Sequence, residues 1–336
     1  MKKVICIGSI TKDVFLSTKE GKLIENTGDV AVQKLIGFEF GAKVYADSYR
    51  ETLGGSSINV AAGLLQCEML PLVFSRVSNS GTGDWLLKKI GAEKLKKRFI
   101  QRNGVIESEV SIIISDSVLN DHVIFRTGDS VERFDLKKAL TKFRFGADGV
   151  YIGSQKKGWE EKYKALIEFS KEKKVKISCN PSGLQIQKDP EKLLKMFASF
   201  EIVFLNRDEA TELLERVDGG EETEIRPLFE RLMKYKPKVL VITDGEKGAY
   251  AAKGDSIFYV ATQAKEVIDT VGAGDAFSSG FLAAYLEFFD VKRSIAWGIL
   301  NSASVISVEG GTKGLMKKKE LLRAEKEVLV KIKKIK

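Results

Sequence analysis

Short apolar runs alternate with amphipathic segments along most of the chain. Residues 4–8, 72–75, 149–152, 175–179, 202–205 and 239–243 are β-branched or apolar runs, the pattern of strands buried on both faces. Between them, residues 57–66, 159–174, 207–216 and 273–288 carry apolar side chains at helical spacing. The alternation predicts an α/β fold, a mostly parallel sheet covered by helices on both faces. Ligands in such sheets sit at the carboxyl ends of the strands. Two regions break the pattern. Residues 17–52 have short apolar stretches and several glycines but no clear helix, and residues 108–127 read as two antiparallel strands around a turn. Together they predict a small β-sheet, residues 17–52 and 108–127, set on a main domain of residues 1–16, 53–107 and 128–336.

Composition narrows the classes. The chain has 336 residues, 43% apolar and 30% charged, enough for one large core. The net charge of +9 comes from 55 basic residues interspersed with 46 acidic ones, which reads as a solvated surface. The densest basic runs, residues 317–319 and Lys333, Lys334 and Lys336, read as the exposed face and end of a last helix. No aromatic residues interleave with them, so no nucleic-acid partner is expected. No apolar run approaches the ~20 residues of a membrane span, and none is expected. Cys6, Cys67 and Cys179 are far apart and without metal spacing, and read as small buried hydrophobes of a cytoplasmic, reducing compartment. His122 is the only histidine, which argues against His-based zinc sites and Ser-His catalysis.

The chemistry concentrates in Asp269-Thr270-Val271-Gly272-Ala273-Gly274-Asp275-Ala276-Phe277. Helical spacing begins after Gly274, so Gly272, Ala273 and Gly274 stand where a helix starts. Backbone N–H groups are unpaired there and favour an anion, and glycine lets a phosphate come close. Asp275 is then either a helix cap or a base beside a bound phosphate. The chain has no Walker A loop and no dinucleotide fingerprint.

These residues resemble the C-terminal signature of the ribokinase-like carbohydrate kinases, the PfkB family. Gly54-Gly55-Ser56-Ser57-Ile58-Asn59 resembles the family's N-terminal signature, and Gly8-Ser9-Ile10-Thr11-Lys12-Asp13 its opening strand with a substrate aspartate. Asn206-Arg207-Asp208-Glu209 resembles its Asn-x-x-Glu motif, and Thr243-Asp244-Gly245-Glu246-Lys247-Gly248 its nucleotide-binding turn. The resemblance implies a three-layer α/β/α fold with a β lid, and ATP-dependent phosphorylation of a sugar hydroxyl. It implies Asp275 as base, the backbone of Gly272, Ala273 and Gly274 as anion hole, and Asp13, Gly54, Gly55 and Asn59 on the substrate. Asn206, Thr243, Gly245, Gly248 and Asn301 fall to the nucleotide, and Glu209 to hydrated Mg²⁺. Asp269 resembles a monovalent-cation ligand, with K⁺ the candidate, although Glu309 stands where ribokinase carries arginine. Arg126, ending a lid strand, either meets an anionic substrate group or guards a sheet edge. A nucleoside kinase, with Phe38, Phe40 and Tyr45 around a base, a sugar-phosphate kinase and a non-catalytic binding relative stay open. The lid is also a candidate homodimer interface.

Overall fold

The structure is a computed structural model. It describes residues 1–25, 34–104, 107–116, 121–128, 134–143, 146–220 and 224–335. Residues 26–33 and 117–120, within the regions assigned to the small sheet on sequence, lie outside the described residues.

The strand Lys3–Ile7 shows how the core is made. Side chains alternate across a strand. Val4 and Cys6 join one buried cluster with Phe281, Leu282 and Trp297, while Ile5 and Ile7 join another with Trp159, Tyr163 and Leu213. Val239 and Val241 divide from Leu240 and Ile242 in the same way. These two runs therefore feed both cores, which is why residues 4–7 and 239–242 lack polar positions. The first core is roofed by the helices Ser56–Gln66, Ala273–Phe288 and Val291–Ile306, the second by Trp159–Lys173, Arg207–Asp218 and Ile225–Met233.

Among the described residues the sheet has ten strands, and the six apolar runs read as strands are all in it. From Ile100–Asn103 it passes through Leu70–Ser78, Lys3–Ile7, Gly149–Ile152, Lys176–Cys179 and Ile202–Asn206 to Val239–Thr243, all parallel. Ala249–Lys253, Ser256–Val260 and Lys333–Ile335 extend it antiparallel. The lysine-rich tail thus closes a sheet edge rather than ending a helix. Strand order reverses around Lys3–Ile7, the place where such sheets open a ligand crevice.

The small sheet runs Ser48–Gly54, Thr11–Thr18, Glu109–Asp116, Asp121–Thr127. Residues 11–16 and 53–54, given to the main domain on sequence, belong to it. The reason is the half-polar alternation of Thr11–Thr18, which offers no unbroken apolar run to the sequence. One inner row crosses the sheet through Thr52, Asp13, Ser111 and Arg126. The next row holds Arg50, Phe15 and Ile113. Lys22–Glu25 and Lys34–Gly37 form a separate hairpin. Among the described residues no helix is long and apolar enough to cross a membrane.

Candidate active site

The Ala273–Phe288 helix starts from Gly272, whose φ of 82° is left-handed, and no side chain caps it. Of its first-turn N–H groups, that of Ala273 donates to Thr270 O at 3.2 Å, while no side chain caps the others, as an incoming anion requires. A Cβ on Gly272 would lie 2.6 Å from the Cα and carbonyl oxygen of Gly311, so only glycine lets the two loops touch. A Cβ on Gly274 would meet nothing within 4 Å, which leaves room beside that amide.

Asp275 sits in this first turn and accepts a hydrogen bond from Asn59 Nδ2 at 2.9 Å. Burial pushes its carboxyl up to about 6, the charge of Asp13 adds to the rise, and Asn59 and Arg126 oppose it. A carboxylate so placed can take a proton near neutral pH. The cap alternative is not what the geometry shows, because no side-chain oxygen caps this helix.

Asp13 is buried on a strand of the small sheet. Thr11 Oγ1 donates to its Oδ1 at 2.8 Å. Burial raises its carboxyl, with the Thr11 and Ser111 hydroxyls and then Arg126 pulling it down. A Cβ on Gly54 would fall 1.8 Å from Asp13 Oδ2, so glycine makes the space that this carboxylate fills. Gly55 then opens the Ser56–Gln66 helix, whose first turn delivers Asn59 to Asp275. Asn59 is only 6% exposed, and its Oδ1 is buried without a hydrogen-bond partner among the described residues. Arg126 pairs with the fully buried Glu109 at 2.5 Å, and Lys156 stands 3.8 Å from the other carboxylate oxygen. Both sequence alternatives for Arg126 are thereby sharpened: it belongs to a cluster beside Asp13. Glu109 and Lys156 were not legible as site residues, although period-two counting from Asp13 through Ser111 leads to Glu109.

The proposed nucleotide residues lie farther along the carboxyl edge. Asn206 and Thr243 are register partners at the ends of adjacent parallel strands. Asn206 and Glu209 form a reciprocal capping box, Glu209 N–H to Asn206 Oδ1 at 2.7 Å and Asn206 N–H to Glu209 Oε2 at 2.9 Å. Burial, with Asp208 and Glu212 adding, pushes Glu209 up to about 7. The turn after Thr243 is a short 3₁₀ segment from Gly245 to Lys247 that ends at Gly248. Asn301 departs from its expected role. It is fully buried; its Nδ2 donates to Ala276 O at 2.9 Å and Ser279 Oγ at 3.1 Å, and its Oδ1 accepts from Met316 N–H at 2.9 Å. That amide ties two helices and the 316 loop together.

Asp269 joins the loops behind the helix start. Its Oδ1 accepts from Val271 N–H at 2.9 Å and its Oδ2 from Gly310 N–H at 3.0 Å. Arg50 of the small sheet reaches this point, 2.8 Å from Glu309 and 3.9 Å from Asp269. A cavity of about 670 Å³ lies between the two parts, with Phe15, Ile113, Arg50 and Val271 among its lining. Phe38, Phe40 and Tyr45 do not line it; they are exposed, Phe40 fully so.

A family model described as pfkB family carbohydrate kinase matches residues 1–318. The chain is 25% identical over 278 residues to an ATP-dependent 6-phosphofructokinase of Thermoanaerobacterium thermosaccharolyticum, covering 80% of this chain and 83% of that one. It is 23% identical over 315 residues to a nucleoside kinase of Methanocaldococcus jannaschii, 92% of each chain. A structure of Arabidopsis thaliana ribokinase complexed with ribose and ATP superposes with a TM-score of 0.75 at 17% identity, covering 97% of this chain and 99% of that one.

Proposed function

This chain belongs to the pfkB family of carbohydrate kinases and is an ATP-dependent kinase of hydroxyl groups, and on that premise we propose that its acceptor is a sugar and its base is Asp275. The observation that carries the reading is Asp275, its carboxyl lifted to about 6, at an uncapped helix start beside Asn59. Asp275 takes the proton of the attacking hydroxyl. The amides from Gly272 to Gly274 hold the transferring phosphoryl group as its charge spreads. Asn59 Oδ1, buried and unpartnered, accepts from a second hydroxyl of the sugar. Asp13, steadied by Thr11 and given room by Gly54, accepts from neighbouring hydroxyls, and Gly55 turns the chain toward them. Asn206, Thr243, Gly245 and Gly248 cradle the nucleotide.

Magnesium accompanying ATP offsets charge on the phosphates. Glu209 would hold it through water: burial, with the acidic neighbours Asp208 and Glu212, pushes its carboxyl up to about 7. Three buried free thiols support a reducing, cytoplasmic setting.

A second reading, a sugar phosphate as acceptor, is favoured by Arg126 and Lys156. They flank Glu109 beside Asp13, where a second anionic group of the substrate would arrive.

The test is ADP release from ATP and Mg²⁺ with hexoses, pentoses, sugar phosphates and nucleosides. A neutral sugar is expected to give the largest turnover. Asp13→Asn then raises the acceptor KM by ~10-fold or more and leaves the ATP KM near wild type. A sugar phosphate as best acceptor, with that preference lost in Arg126→Ala, moves the second reading to the front. A nucleoside as best acceptor removes both.

The outer face of the small sheet supports pairing with a second copy of this chain. Phe125 and Tyr49 are exposed there at 57% and 63%, beside half-buried Val14, Leu16, Ile112 and Ile114. Light scattering is expected to show a dimer that Phe125→Glu splits; a monomeric wild type rejects the pairing.

A further inference from the structure

The loops that shape the anion hole meet behind it. Gly272 packs on Gly311, and Gly310 N–H donates to Asp269 Oδ2, so residues 269–272 and 309–311 hold one another. The 268–269 backbone is pinned further by N–H bonds to Ile306 O. Gly311 lies close to Asn59 as well: a Cβ there would sit 3.6 Å from Asn59 Nδ2. Movement at this junction therefore reaches both the base and the residue that orients it.

Two carboxylates, Asp269 and Glu309, face this junction, and their repulsion would part the loops. Arg50 answers it from the small sheet. Its guanidinium is 2.8 Å from Glu309 and 3.9 Å from Asp269, and its carbon lies 4.4 Å from the Phe15 ring centre. The stem and the stacked ring fix the guanidinium's height above the loops. A monovalent cation, expected at Asp269 from the sequence resemblance, does not fit these residues. Each Asp269 oxygen already accepts a backbone N–H, and the positive charge beside it is a guanidinium.

We propose that Arg50 is a positioning residue that supplies the cation of this junction from the small sheet, so that the anion hole is assembled without an alkali ion. The strand carrying Arg50 also carries Gly54 beside Asp13. One strand thus shapes the acceptor side and holds the loops of the phosphoryl side. The proposal rests on the kinase reading for its kinetics only.

The experiment is amide hydrogen exchange by mass spectrometry on wild type, Arg50→Lys and Arg50→Met, each in K⁺, Na⁺ and choline chloride. Methionine keeps a stem over Phe15 and removes the charge. In wild type, peptides covering 269–276 and 307–313 are expected to exchange alike in all three salts. In Arg50→Met both exchange ~10-fold faster or more in choline, K⁺ restores part of the protection, and peptides of the main-sheet strands are unchanged. Arg50→Lys stays within a few-fold of wild type. With the acceptor found by the panel, Arg50→Met lowers kcat by ~10–100-fold while the ATP KM changes little. The proposal is overturned if K⁺ slows exchange of these peptides in wild type or raises its turnover several-fold. It is equally overturned if Arg50→Met leaves both peptides exchanging as in wild type. An empty acceptor panel would reject the kinase reading and leave the exchange result standing by itself.

Discussion

Asp275→Asn is expected to lose turnover by ~10²–10⁴-fold and at the same time to stabilise the protein at pH 8. The two effects have one origin. Burial lifts the Asp275 carboxyl from 3.8 to about 6, so the folded state holds a proton that the unfolded chain has released between those values. Stability then falls as pH rises through that window and stays lowered above it. The cost of the charged carboxylate at pH 8 is up to ~3 kcal/mol. Asparagine retains a side-chain oxygen for Asn59 and carries no charge, so it removes both the base and the penalty. Urea midpoints should be higher for the variant at pH 8, and the curves should converge as pH falls toward 4. Wild-type kcat/KM should drop tenfold per unit below about pH 6, the value to which Asp275 is lifted. A variant that keeps its activity, or gains no stability at pH 8, sinks the assignment of Asp275 as a half-buried base.

Gly272→Ala is expected to damage both fold and rate, and Gly274→Ala the rate alone. At Gly272 the new Cβ meets Gly311 backbone at 2.6 Å, and φ of 82° is costly for alanine. The loops must part, which costs ~2–3 kcal/mol and moves the amides of the anion hole. A kcat loss of ~10²–10³-fold follows. At Gly274 nothing lies within 4 Å of a Cβ, and alanine is the better helix former by ~1 kcal/mol. The methyl instead enters the space where the phosphate approaches. Equal behaviour of the two variants in chemical denaturation would show that the Gly272–Gly311 contact does not hold the helix start.

Much of this was legible in the sequence, for a physical reason. Strands buried on both faces need unbroken apolar runs, and 149–152 and 239–243 were found with their bounds intact. The helix Ala273–Phe288 was also read at its true ends, because glycine marks its start and apolar spacing its length. The small sheet was harder. Its strands turn Asp13 and Arg50 to a polar cleft on one side and carry the Lys12–Glu51 ion pair on the other, so charges interrupt the signal on both faces. Arg50 was invisible because its partner Glu309 lies 259 positions away. The clamp made by Asn301 was not legible because an asparagine facing a ligand and one joining helices are the same letter. Only its three hydrogen bonds tell them apart.

The three cysteines have a practical side. Cys6 and Cys179 are fully buried and Cys67 is 1% exposed, and burial raises all three thiols. Thiolate, the species that attacks a maleimide, is scarce at each. A dye offered to the folded protein should therefore pass the native thiols by and mark only a cysteine introduced at the surface. Tyr45→Cys at the rim of the small sheet and Lys188→Cys on the main domain make a donor–acceptor pair in an otherwise unaltered chain. Single-molecule distances between the two can then follow the small sheet directly as nucleotide and acceptor arrive, without first stripping the protein of its own sulfur.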